Sequence, residues 1–568
     1  MATMNPYGKL DEAEQERLAA RRRTRRRITI IGISSIFLVA VIVGAVVGAS
    51  QTKANKSRAD DQSPSSAIKA VCSATLYPDS CYNSLAPVVK SGSVKPQDLY
   101  RLSVEVALNE LSKASKNFDG IKKLNITDQR TLAAIESCQE LLSLALDHLN
   151  SSLSVEDLKF LEVFDDLRTW LSSAGTYQQT CIDELEYASI GLNTFLNENF
   201  KNSTEYTSNS LAIVTTFEES ISSLGAIGRR RRLMSVGGAP EWLSYNERKL
   251  LQTPSSSIKA DAVVAKDGSG KYKTIGAALK DVPDKSKKRF VIYVKKGVYV
   301  ENVRIESSKW NVMMVGDGKN ATIVSGSLNV IDGTPTFQSA TFAVFGQGFI
   351  ARDIGFRNTA GPVKHQAVAL LSTADLSIFY RCTMDAFQDT LYVHSNRQFY
   401  RECDIYGTVD FIFGNSAVVI QNSNILPKLP MLGQQNTITA QGKFDPNQKT
   451  GISIQNCTIW AGANLTGVST FLGRPWKNYS TTVYIENVMG SLIDPKGWLP
   501  WVGTSAPNTI FYAEFQNLGP GAVTKNRVNW SGLKLNLTTA QVKKFTVGPF
   551  IKGDKWIPET GINYKSGL

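Results

Sequence analysis

Hydrophobic positions follow two periods along the chain, and the change falls near Asp261. Between Ser66 and Gly228 the spacing is helical. Val104, Ala107, Leu108 and Leu111 fall at i, i+3, i+4 and i+7, and Ile135, Cys138, Leu142, Ala145 and Leu149 keep the same rhythm. Proline and glycine are scarce inside these runs, so an up-and-down helical bundle of the four-helix type is expected over 66–228. Beyond Asp261 the runs are short, rich in Val, Ile, Phe and Tyr, and punctuated by Gly, Asn and Asp, which predicts β-strands over 257–568.

The strand region repeats. FIARDIGF, SIFYRCTM, QFYRECDI, VVIQNSNI and ISIQNCTI align on Ile354, Cys382, Cys403, Ser423 and Cys457, with steps of 28, 21, 20 and 34 residues. A unit of about 20 residues with excursions marks a solenoid of stacked parallel strands. A β-sandwich also has many short strands but leaves the repeated pattern unexplained. The expected fold is therefore an all-α module followed by an all-β right-handed parallel β-helix.

The repeat gives meaning to two acids within apolar strands. Asp389 and Asp410 are 21 residues apart, and Gln366 and Gln388 are 22 apart. One solenoid turn moves a residue to the neighbouring rung, about 4.8 Å away, so these four side chains are expected on one face. Stacked carboxylates repel, which raises the proton affinity of one, while a nearby cation keeps the other ionised. Arg474, between Gly473 and Pro475, is the candidate cation, and Trp476 offers a flat apolar face for a sugar ring. An acid/base residue beside a nucleophile has these requirements.

Charge and termini locate the chemistry. The net charge is +13. Residues 252–568 hold 34 basic and 21 acidic residues, while 66–228 hold 12 basic and 21 acidic, a net of −9. A basic module tethered to an acidic one suits a polyanionic ligand. A basic tail (1–27) containing RRRTRRR precedes 22 uncharged residues, 28–49, long enough to cross a bilayer as a signal anchor; a cleaved signal peptide is the alternative. Either sends the bulk of the chain into the secretory route, as the ten N-x-S/T triplets, Asn125, Asn202, Asn464 and Asn536 among them, also suggest. Nucleic acid is then not an expected partner. Residues 50–65 read as a linker. A second linker, 229–256, carries Arg229 to Arg232 before Leu233, and Arg248-Lys249-Leu250-Leu251, two sites expected to meet a processing protease.

Cysteines and histidines narrow the reading. Cys72, Cys81, Cys138 and Cys181 allow three pairings, and Cys72 with Cys81 and Cys138 with Cys181 is the expected one. No G-x-S-x-G motif occurs, and His148, His365 and His394 show no metal-ligand spacing, so each is read as structural. The GSGK stretch at 268–271 lacks the first glycine and the Ser or Thr of a phosphate loop. No cofactor is called for.

GVYVENV (297–303), QAVAL (366–370), QDTLYVH (388–394), DFIFG (410–414) and LGRPW (472–476), in this order, closely resemble plant pectin methylesterase. The helical module with four cysteines resembles the inhibitor domain that forms the pro-region of many such enzymes. The resemblance implies that Asp410 attacks the galacturonate methyl ester, that Asp389 protonates methanol and then activates water, and that Gln366 and Gln388 bind the oxyanion. It further implies that Arg474 holds Asp410 and that Thr336 and Trp476 contact substrate, with Trp498 and Trp501 extending the groove. Pectin, the intramolecular pro-domain, a secretory protease and separate inhibitor proteins are the implied partners, and the wall the implied destination. Relatives often carry a cysteine where Ser423 stands, which leaves Cys457 as an expected free thiol. Cys382 and Cys403 are within bridging reach, with stacked reduced thiols as the alternative. Rival functions are a pectate lyase or polygalacturonase on the same fold, which shorten the polymer, and a catalytically silent wall-binding or inhibitor protein.

Overall fold

A computed structural model of the chain describes residues 64–89, 95–119, 126–155, 160, 163–188, 193–228 and 259–568. The expected span at 28–49 and the basic sites Arg229, Arg232, Leu233, Arg248, Lys249 and Leu251 lie outside the described residues. Among the described residues, no helix is long and apolar enough to cross a membrane.

The first module comprises α1 (Pro64–Cys72), α2 (Pro78–Leu85), α3 (Pro96–Asp119), α4 (Gln129–Leu153), α5 (Phe164–Ala188) and α6 (Asn193–Gly228). The side chain of Asp128 caps α4 by accepting from the Thr131 amide at 2.8 Å. Val104, Ala107 and Leu111 are buried, as are Ile135, Cys138, Leu142, Ala145 and Leu149, so the helical period does mark the bundle core. The disulfides join Cys72 to Cys81 and Cys138 to Cys181, as expected.

The second module is the expected parallel β-helix. Its strands form three sheets of eleven, seven and eight, with parallel pairing throughout. The repeat register is the observed one: Gly355, Thr383, Asp404, Asn424 and Thr458 pair in sequence, one residue beyond the aligned positions. The five aligned rungs turn between the eleven- and eight-stranded sheets at a non-glycine residue in the left-handed region: Asp353, Arg381, Glu402, Asn422 and Asn456 have φ of 52–59°. Such residues are strained singly by about 1–2 kcal/mol, and their repetition fixes the corner of the coil.

Cys382, Cys403 and Cys457 are free and buried. This meets the expectation for Cys457 and corrects the grouping of Cys382 and Cys403 with the disulfides. Residues directly stacked on adjacent rungs sit about 4.8 Å apart, wider than the usual Cβ separation of about 3.8 Å in a disulfide. Each thiol instead reaches main-chain carbonyls, Cys382 that of Tyr380 and Cys403 that of Phe379, at 3.4 and 3.3 Å.

Two outer faces of the β-helix are covered. C-terminal residues Val547, Phe550, Ile551 and Trp556 pack on Val291, Met313, Ile350, Ile378, Phe399 and Val419 of the eleven-stranded sheet. On the seven-stranded sheet an apolar row, Ala343, Leu371, Tyr392, Phe413 and Ala440, runs in register from rung to rung. This row belongs to one continuous hydrophobic cluster with the helical bundle.

Candidate active site

The seven-stranded sheet positions the reacting groups. Leu370, Leu391, Ile412 and Thr439 are in register, so Asp389 and Asp410, each two residues earlier than its strand's Leu391 or Ile412, occupy equivalent places on adjacent rungs. Both backbones are left-handed, with φ of 62° and 51°. The Asp389 amide donates to the Val409 carbonyl at 3.1 Å, tying the rungs at this point. Strain of this kind persists where surrounding contacts over-determine it, often at reactive sites.

Asp389, Asp410, Gln366, Gln388, Arg474, Thr336, Trp476 and Trp501 line one cavity of about 260 Å³. Every catalytic and substrate-contact residue expected from the sequence is therefore brought together. Arg474 grips Asp410 with a two-pronged fork, Nε to Oδ1 at 2.8 Å and Nη2 to Oδ2 at 2.6 Å. Its guanidinium lies 4.3 Å from the centre of the Trp501 ring. Gly442 lets the Trp476 indole lie flat, since a Cβ there would come within 2.9 Å of it.

The two carboxylates are 8% and 5% exposed. Burial, reinforced by the negative charge of Asp410 and opposed by Arg474, pushes Asp389 well above the usual carboxylate range. The protonated form of Asp389 is thus favoured beside an aspartate paired with a guanidinium. Such a pair suits an acid next to a nucleophile. Among the described residues, no group of three or more His, Cys, Asp or Glu is arranged to hold a metal ion.

Trp498 corrects the expectation for the groove. It is fully buried, stacks on Tyr512 with ring centres 4.3 Å apart and donates from Nε1 to Glu514 Oε1 at 3.0 Å. Trp498 and Trp501 are three residues apart in an irregular segment, and the indole of Trp498 packs in the core of the coil.

Sequence reading missed the roof. Arg130 and Ala134 of α4 and Thr180, Asp183 and Glu184 of α5 line the same cavity from the helical side. α5 carries two stripes: Leu167, Leu171, Ala174, Cys181 and Leu185 enter the bundle core, while Ser173, Tyr177 and Thr180 hydrogen-bond the turn at 394–396. Glu184 accepts from the Phe337 amide at 2.9 Å, and burial raises its carboxyl to about 7. Asp183 pairs with Lys477 at 2.7 Å, Asp165 with Lys449 at 2.6 Å and Asp166 with Arg397 at 2.8 Å, and Glu140 pairs with Arg304. The acid is on the bundle and the base on the β-helix in all four. The polarity matches the charge asymmetry of the sequence, although no motif announces the contact.

The pectinesterase family profile matches residues 261–554, and that of plant invertase/pectin methylesterase inhibitor matches 66–213. The chain is 54% identical to "Probable pectinesterase/pectinesterase inhibitor 46" of Arabidopsis thaliana, over 99% of this chain and all of that protein. It is 48% identical to "Pectinesterase 3" of Phaseolus vulgaris, over 99% of this chain and 98% of that protein. The solved pectin methylesterase from carrot superposes with a TM-score of 0.54 at 50% identity, covering 55% of this chain and 99% of that one. With both of its modules matched and two carboxylates and a guanidinium gathered in one cleft, this chain belongs to the pectinesterase family, and its N-terminal domain is of the pectin methylesterase inhibitor type.

Proposed function

We propose that the chain hydrolyses galacturonate methyl esters of pectin through an acyl-enzyme on Asp410, and that the helical domain restrains it until the 229–256 linker is cut. One observation carries the chemistry: Asp389, its carboxyl pushed well above the usual range by burial, stands a rung from an aspartate held by Arg474 in the same cavity. Asp410 attacks the ester carbonyl, and the amides of Gln366 and Gln388 take the developing oxyanion charge. Asp389 gives its proton to the departing methoxy oxygen, releasing methanol and leaving an anhydride. Asp389, now ionised, removes a proton from water as it attacks the anhydride, and Asp410 leaves as carboxylate.

The restraint rests on the roof. A polymer has to lie across the cleft, and α4 and α5 occupy the space above it. The four acid-to-base pairs occupy cations that suit a polyuronate. An exported, wall-directed precursor fits this reading, with the 28–49 segment as its route out.

Methanol release from pectin, with the pH falling and chain length intact, is the expected result for the Gln252–Leu568 fragment, and Asp410→Ala abolishes it. Shortened chains would instead indicate a lyase or polygalacturonase. Equal rates for fragment and uncut chain would refute the restraint.

A further inference from the structure

Asp389 and Asp410 are two members of a row whose third member is Thr437. Ile412 pairs with Thr439, so Thr437 stands on the next rung at the position equivalent to Asp410. It is 1% exposed. Its Oγ1 accepts from the Asp410 amide at 2.8 Å and donates to Asp410 Oδ1 at 2.6 Å. Its main-chain carbonyl also accepts from the Phe411 amide at 3.3 Å. One residue therefore satisfies the main chain of the left-handed turn and orients the side chain that the turn presents.

The hydrogen bonds divide unequally between the two carboxylate oxygens. Oδ1 accepts from Thr437 Oγ1 and from Arg474 Nε, which uses both of its in-plane lone pairs. Oδ2 accepts from Arg474 Nη2 at 2.6 Å, and Nε is farther from it, at 3.1 Å. The shared Nε hydrogen leans towards Oδ1, so Oδ2 is the less fully engaged oxygen and the one open to the substrate.

We propose that Thr437 is a positioning residue that occupies Oδ1 of Asp410 and thereby makes Oδ2 the attacking atom. This rests on Asp410 being the nucleophile. The bond formed joins Oδ2 to the ester carbon, and the bond broken is that to the methoxy oxygen, which leaves as methanol with the proton of Asp389. Thr437 is shielded from the cavity and keeps its proton throughout. Without its hydroxyl the carboxylate rotates about its Cβ–Cγ bond, the two oxygens exchange roles, and a donor to the ionised form is lost.

The test uses the full chain cut within 229–256, comparing Thr437→Val, Thr437→Ser and Asp410→Ala on methyl-esterified pectin. Thr437→Val is expected to lower kcat roughly 10- to 100-fold, the loss of one hydrogen bond to a charged group. KM stays within about two-fold, because the residue does not touch substrate. Thr437→Ser keeps both hydrogen bonds and stays within a few-fold of the parent. A folded Thr437→Val with the parent's kcat overturns the proposal, as does a Ser variant as impaired as Val. If Val does not fold, Thr437→Ala is read by the same criteria. An active Asp410→Ala would defeat the nucleophile assignment itself, a result separate from either Thr437 outcome.

Discussion

The β-helix is covered on two faces, and the covers are built differently. The C-terminal cover meets the eleven-stranded sheet through aliphatic and aromatic side chains, with Trp556 donating only to its own segment, at the Ile551 carbonyl. The helical cover meets the seven-stranded sheet through an apolar row bordered by ion pairs and buried polar contacts, among them Thr180 with His394 and Ser173 with Asn396. Apolar contact has no soluble competitor except another apolar surface. Carboxylates on lysines and arginines are exchangeable for other anions and for salt. The first cover is part of the fold and the second is suited to departure.

Substitutions break this contrast at different points. The largest effect is expected at the permanent cover: Trp556→Ala, 8% exposed in the parent, should destabilise the β-helix by about 3–5 kcal/mol, read as a lower midpoint in denaturant unfolding. A loss below about 1 kcal/mol would make the two covers alike.

Glu184 gives the next effect, and its sign is fixed by linkage. Burial at the docked interface raises its carboxyl from 4.5 to about 7, so docking takes up a proton. Docking is unpenalised by this group below about pH 4.5 and weakens as the pH rises to about 7, by up to about 3 kcal/mol. Buried His148 and His394 are lowered instead and oppose docking on acidification, so the test compares Glu184→Gln with the parent. In chains cut within 229–256, the affinity difference between variant and parent should widen from pH 4.5 to 7. A constant difference would exclude Glu184 as the source.

Asp183→Asn is expected to weaken docking by about 1 kcal/mol, the upper range for a partly exposed pair, and to raise methanol release by the uncut chain several-fold. Raising ionic strength should have a smaller effect of the same direction in the parent and a weaker one in the variant. Salt that leaves the uncut chain unchanged would place the hold of this cover in its apolar row instead.

Legibility in the sequence followed periodicity. The rungs from Ile354 to Cys457 and the stacking of Asp389 on Asp410 could be read because equal steps in sequence are equal steps in space. Thr437 escaped because 27 residues separate it from Asp410, with the 428–435 excursion hiding the equivalence. Trp498 was misassigned because position in an irregular turn carries no inside or outside phase. The roof was illegible for another reason: α5 uses one helical period for two neighbours, and polar residues such as Thr180 and Glu184 read as solvent-facing until the partner surface is known.

The fork of Arg474 on Asp410 is complete while the helices are still in place. Nothing in this pair would then wait to be assembled if the bundle leaves as proposed. On the proposed restraint, the lag between severing the linker and the first methanol molecule would be set by how fast the helices depart, the protein being a finished tool in its sheath.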